Sequence, residues 1–193
     1  MQLKYFAATA TVLFILAGAA QASIITYEST LAPEAPGATG SGSVTVTYDS
    51  AAQTLRIDAA WTGLSGLTTV AHIHCCTAAP DVGTIGVAVT PGTLPGFPVG
   101  VTSGAYLSPL LDLTDPGTYT AGFLTNFGGG TEAGAEAALI AGMTNGTAYF
   151  NVHTNMFPGG EIRGFLRQVP EPATLALLGL GLAGLAASRR RKQ

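Results

Sequence analysis

Apolar residues are distributed along this chain in two ways. Near each end they run almost unbroken, from Tyr5 to Ala20 and from Leu175 to Ala187, whereas between the ends they alternate with polar residues in short stretches. A period of two marks a half-buried strand. Ser43-Val44-Thr45-Val46-Thr47-Tyr48 and Thr54-Leu55-Arg56-Ile57-Asp58-Ala59-Ala60-Trp61 both show it, with the turn residues Asp49-Ser50-Ala51-Ala52-Gln53 between them. This predicts a β-hairpin with Val44, Val46, Leu55, Ile57 and Trp61 facing a core. Further strands are predicted at Thr69–His74, Thr84–Thr90, Gly104–Leu111, Thr118–Leu124, Thr147–His153 and Glu161–Arg167. Pro91-Gly92, Pro95-Gly96, Asp115-Pro116-Gly117 and Pro158-Gly159-Gly160 separate them as turn signals. Residues 24–42 read as a first strand followed by a Pro/Gly-rich stretch. One short helix interrupts the pattern. Thr131 caps it, Glu132 suits its first turn, Ala135, Ala138, Leu139 and Gly142 follow helical spacing, and Asn145-Gly146 ends it. Many short strands with Gly/Pro turns predict an all-β, antiparallel sandwich or barrel.

The two apolar ends are set apart from this body. Lys4, the apolar run to Ala20 and the small-residue site Ala20-Gln21-Ala22 follow the order of a signal peptide, so residues 1–22 are expected to form a signal helix cleaved by signal peptidase between Ala22 and Ser23. At the other end, an apolar run leads into Arg189, Arg190, Arg191 and Lys192, a basic cluster that stays cytoplasmic by the positive-inside rule. Both ends predict the same topology, with the body outside the inner membrane. The C-terminal run, Ala173 to Ala187, is 15 residues, about 22 Å of helix against a hydrocarbon core of about 30 Å. That shortfall fits a transmembrane helix used as a transient anchor better than a permanent one. Gly179-Leu180-Gly181-Leu182-Ala183-Gly184 satisfies G-x-G-x-x-G but lacks the strand and the distant acid of a dinucleotide site; small residues in a membrane helix explain it.

Once the ends are removed, the charge balance changes. Residues 23–169 keep three arginines (Arg56, Arg163, Arg167) and no lysine against ten acids, a net charge of −7. An acidic body repels phosphate backbones and argues against nucleic acid as a partner. Its length of about 147 residues suffices for one core.

Candidate chemistry concentrates in the histidines. All three lie in strand motifs: Ala71-His72-Ile73-His74 puts two imidazoles on one face of a strand, and Asn151-Val152-His153-Thr154 supplies the third. If these strands are neighbours, His72, His74 and His153 converge into a candidate zinc or copper site, completed by water, Asp81 or a cysteine. Histidines in strands also serve as hydrogen-bonding pins, one ring nitrogen donating to a backbone carbonyl, and both roles stay open here. Cys75 and Cys76 follow directly. Adjacent cysteines in an exported protein form a vicinal disulfide, stay as thiols or ligate metal, and the strain of an eight-membered ring argues against the first. On a continuing strand Cys76, not Cys75, joins the histidines. Glu161 and Arg163 share a strand face and are expected to pair with each other in a structural role. No Ser or Cys sits in a hydrolase-like elbow.

Two resemblances rest on these motifs. Val169-Pro170-Glu171-Pro172, the Gly/Leu/Ala helix and Arg189-Arg190-Arg191-Lys192 closely resemble the PEP-CTERM sorting signal. The likeness implies a sorting tail over 169–193, with Pro170, Glu171 and Pro172 as its motif, recognised and cleaved by an exosortase. Its bacteria are typically Gram-negative makers of exopolysaccharide and biofilm, so it implies a cell-surface or extracellular destination. Residues 23–168 resemble the CHRD (chordin-like) domain through Ala71-His72-Ile73-His74, Gly83 with Val87, and Tyr149 to Thr154 through Pro158 to Gly164. That resemblance implies an immunoglobulin-like β-sandwich without established catalytic residues. The His-x-His strand is faintly similar to copper/zinc superoxide dismutase, but that enzyme needs more histidines than this body has. Taken together, these features predict a non-enzymatic, exported binding or structural module that meets surface proteins or exopolysaccharide. The alternative is a metal-binding exported protein whose cofactor is zinc or copper.

Overall fold

The computed structural model describes residues 23–170 and 179–181. The expected signal helix of 1–22 lies outside them, as do Glu171, Pro172 and most of the C-terminal apolar run. Of that run Gly179–Gly181 is helical, and among the described residues no helix is long and apolar enough to cross a membrane.

The body is mostly antiparallel β. Its strands are β1 (Ile24–Pro33), β2 (Ser41–Asp49), β3 (Thr54–Thr62), β4 (Thr68–His74), β5 (Val87–Val89), β6 (Gly104–Leu107), β7 (Leu111–Asp112), β8 (Tyr149–Thr154), β9 (Ile162–Phe165) and β10 (Arg167–Gln168). They form one curled sheet in the order β5-β4-β8-β9-β1-β2-β3-β6, with β10 beside β1 and β7 beside β3. The seam is β1. Ile24 to Leu31 pair with β2, Tyr27 and Glu28 with β10, and Ala32 and Pro33 with β9. The expected sandwich is therefore found as a sandwich-like curl whose two halves are continuous through one long strand.

The predicted hairpin forms, with Asp49 opposite Thr54 and Val46 opposite Ile57. Alternation works as expected: Val44, Val46, Leu55, Ile57 and Trp61 are all buried. They share one core with Ala71, Ile73, Phe150, Val152 and Ile162 from the other half.

Two predicted strands are corrected. Thr118–Leu124 is helical: a 3-10 turn over Pro116–Thr118 is followed by α1 (Ala121–Asn126). Thr120 caps α1 by accepting from the Phe123 N–H, and this capping overrides the β-like composition of the run. Gly104–Leu111 is broken into β6 and β7 by Ser108-Pro109-Leu110, since proline cannot donate to a ladder. The domain thus holds two short helices and not one. The second, α2 (Glu132–Asn145), forms as read, with Thr131 accepting from Gly134 N–H at its start and Gly146 in the left-handed conformation (φ 67°) at its end.

α2 packs on the Cys75-Cys76 pair that follows β4. Cys75 and Cys76 are joined in a disulfide, against expectation, and both sulfurs lie against the Ala138 carbonyl of α2, at 3.9 and 3.5 Å. They occupy the space a side chain at Gly142 would need. Gly142→Ala gains roughly 1 kcal/mol in helix propensity but overpacks this contact at a cost of about 1–3 kcal/mol. A net loss in urea-unfolding stability is expected, whereas Gly122→Ala in α1, where nothing lies within 4 Å of an added Cβ, is expected to be neutral or stabilising.

Candidate metal centre

Residues paired directly across two antiparallel strands point to the same face. β4 and β8 pair Val70 with His153, His72 with Asn151 and His74 with Tyr149. β9 extends the row, with Arg163 opposite Asn151 and Phe165 opposite Tyr149. The other face carries Ala71, Ile73, Phe150, Val152 and Ile162 into the core. One side of this half-sheet is therefore hydrophobic, while its other side collects the three histidines, Asn151, Tyr149 and Arg163.

Loop carbonyls hold each imidazole. His72 Nε2 donates to Gly92 O, His74 Nδ1 to Ile85 O and His153 Nδ1 to Pro158 O, each at 2.8 Å. Carbonyls can only accept, so these bonds fix the ring tautomers. They leave His72 Nδ1, His74 Nε2 and His153 Nε2 as bare lone pairs in the neutral rings. His72 Nδ1 and His153 Nε2 face each other at 3.4 Å with no proton to share. His74 Nε2 is buried without any hydrogen-bond partner. One ring nitrogen from each histidine lies within 4.8 Å of the other two.

The site is nearly closed, His72, His74 and His153 being only 6%, 8% and 8% exposed. Burial disfavours the imidazolium and lowers all three histidines below their ordinary value. His74 falls furthest, to about 4, through burial and the neighbouring His72 and His153, against the raising effect of the Ile85 carbonyl. Neutral imidazoles at pH 7 are the form that ligates metal. Zinc–nitrogen bonds of about 2.0–2.1 Å in a tetrahedral site place ligating nitrogens somewhat over 3 Å apart, so small side-chain shifts close this cluster on an ion. A carbonyl partner on the second ring nitrogen is also the usual support of a ligating histidine.

Aromatic and charged groups brace the site. His74 stacks on Tyr149 at 4.7 Å between centroids, and the Arg163 guanidinium lies over Tyr149 and Phe165 at 5.0 and 5.3 Å. Arg163 also pairs with Glu34 at 3.2 Å and donates to Gly83 O. Glu34 accepts from Asn151 Nδ2 as well.

The sequence reading is corrected at three positions. Cys76 does not join the histidines: β4 ends at His74, the alternation stops there, and the disulfide faces α2. Asp81 is exposed and pairs with Arg167. Glu161 and Arg163 do not pair with each other, because Glu161 precedes β9 and turns inward, where Ser65 N–H, Gly66 N–H and the Thr154 hydroxyl bind its carboxylate. Neither Glu34 nor Asn151 is a site candidate from the sequence. Asn151 carried a signal, being an amide two residues from His153 on the same strand face; Glu34 carried none.

The fold and the site define a mostly antiparallel β domain with a candidate three-histidine centre. Residues 21–166 match the CHRD domain, more than half of the chain, and the chain belongs to that family. Residues 168–192 match the PEP-CTERM protein-sorting motif. The motif implies export, processing by an exosortase and association with the cell surface or membrane. Neither is an enzyme family, which agrees with a non-enzymatic reading. No curated protein matches the chain, and no solved structure does.

Proposed function

We propose that this chain is an exported, non-catalytic surface or matrix protein whose domain binds one divalent transition metal, zinc or copper, through His72, His74 and His153. Residues 1–22 are removed before Ser23, residues 169–193 serve as the exosortase-processed tail, and the body between them carries the binding or structural role outside the cell. The observation that carries the metal reading is the set of three bare imidazole lone pairs, each fixed by a backbone carbonyl on the opposite ring nitrogen. Hydrogen-bonding pins alone do not account for it, since pinning needs one nitrogen per ring and gives no reason for the remaining three to converge. An all-imidazole donor set suits zinc and copper(II) better than hard, oxygen-seeking calcium or magnesium.

Elemental analysis of the mature protein, purified after export by its host and dialysed against zinc or copper, tests this. About one equivalent of metal is expected, and His72→Ala or His153→Ala should retain much less. Absence of bound zinc and copper from a folded wild-type sample would return the histidines to a purely structural role.

A further inference from the structure

We infer that the centre is an open one, whose fourth position is held by an exchangeable water hydrogen-bonded to Asn151 and is available to small anionic ligands. This rests on the metal reading above. A zinc site closed by four protein ligands is structural, whereas three protein ligands leave a position for water or an exogenous ligand. The described residues offer no ready fourth donor. The histidines form the metal-ligating cluster without a carboxylate or thiolate among them. Cys75 and Cys76 are spent in their disulfide, and Asp81 pairs with Arg167. Both oxygens of Glu34 are engaged, Oε1 by Asn151 Nδ2 and Oε2 by Arg163. The Tyr149 hydroxyl is occupied with the Ile85 backbone.

Asn151 is different. Its side chain is buried, 2% exposed, and its Oδ1 has no hydrogen-bond partner. A buried amide oxygen left without a partner is unfavourable, so a donor is expected to meet it. The assignment of the amide is fixed by chemistry, because only Nδ2 can donate to the Glu34 carboxylate. Glu34 follows β1 and is bonded to the Glu161 carbonyl beside β9, so Nδ2 is turned to the β9 side. The unpartnered Oδ1 belongs to the face of β8 that borders β4 as well as β9. There His72 stands directly opposite Asn151, and His153 is two residues along β8 on the same face. A metal-bound water has two protons to give and needs such an acceptor. The Glu34–Arg163 pair then serves to orient Asn151, and Gly160 makes room for it. A Cβ at Gly160 would run into both the Glu34 carboxylate and Asn151 Nδ2, and its φ of +124° also favours glycine.

Cobalt(II) reports this position, because its visible spectrum responds to coordination number and ligand exchange. The mature wild-type protein is loaded with cobalt(II) and titrated with azide. A saturable change in the cobalt bands is expected as azide displaces water, and Asn151→Leu should weaken cobalt binding by roughly tenfold to a hundredfold. A cobalt spectrum that azide leaves unchanged would overturn the open position while leaving the three-histidine centre intact. Failure to take up cobalt at all, with the fold intact, would remove the metal reading and this inference with it. If Asn151→Leu does not fold, the azide titration of wild type decides alone.

Discussion

Glu161→Gln is expected to destabilise the domain by about 3–5 kcal/mol, a large part of the roughly 5–15 kcal/mol that holds a typical domain folded. Glu161 is fully buried, and its partner is not a cation. Ser65 N–H donates to Oε1 at 2.5 Å, while Gly66 N–H and the Thr154 hydroxyl donate to Oε2 at 3.1 and 2.7 Å. The carboxylate so ties the β3–β4 turn to the β8–β9 turn. Glutamine keeps the shape but turns one acceptor into a donor, setting N–H against N–H or O–H. Hydrogen bonds to a charged group contribute about 1.5–3 kcal/mol each, and a stranded buried donor adds about 1–3 kcal/mol.

The same carboxylate gives the pH dependence its sign. Burial alone would raise its pKa, but the bonds from Thr154, Ser65 and Gly66 prevail and hold it below its ordinary value of 4.5. A group depressed in the folded state takes up protons more readily when unfolded, so its stabilisation is complete above 4.5 and is lost as the pH falls below it. Urea-unfolding midpoints at pH 7 and at successively lower pH check both points. The wild type should weaken on acidification below 4.5, and Glu161→Gln should start lower and respond less. Equal midpoints at pH 7 would show that the carboxylate contributes nothing.

Zinc or copper should raise the melting temperature of the mature protein by roughly 8–16 °C. Metal present at a thousand times its dissociation constant stabilises a folded state by about 4 kcal/mol, and a domain of this size gains about 2–4 °C for each kcal/mol. A chelator should reverse the rise. In His74→Ala the rise should largely vanish, since the ring nitrogen that is buried without a partner is removed. Comparing the metal-free melting temperatures separates the lost ligand from lost packing against Tyr149. A wild-type melting curve indifferent to both metals would leave the three rings as structural pins on Gly92, Ile85 and Pro158.

The histidine cluster was largely legible in the sequence because strand periodicity carries it: positions i and i+2 share a face whatever the fold, and only the adjacency of β4 and β8 had to be supplied by the structure. The first hairpin was legible for the same reason. What could not be read depends on contacts distant along the chain. Arg163 takes Glu34 and not Glu161, and no local pattern marks residue 34. The carbonyls of Ile85, Gly92 and Pro158, which fix the ring tautomers, belong to the backbone and leave no side-chain signal. Thr118–Leu124 misled because threonines and aromatics are common in strands, while the decisive feature was one hydroxyl, that of Thr120, placed to cap a helix.

The seam strand has a kinetic corollary. β1 comes first among the strands, yet it is completed by β9 and β10, the last, with Tyr27 beside Gln168 and Pro33 beside Ile162. Ring closure over so long a stretch must be met before these pairs contribute anything. A polypeptide delivered from its leading end therefore cannot seal its core until almost all of the domain has followed. Completion of the fold waits for the final strands, a delay compatible with the export that the sorting motif implies.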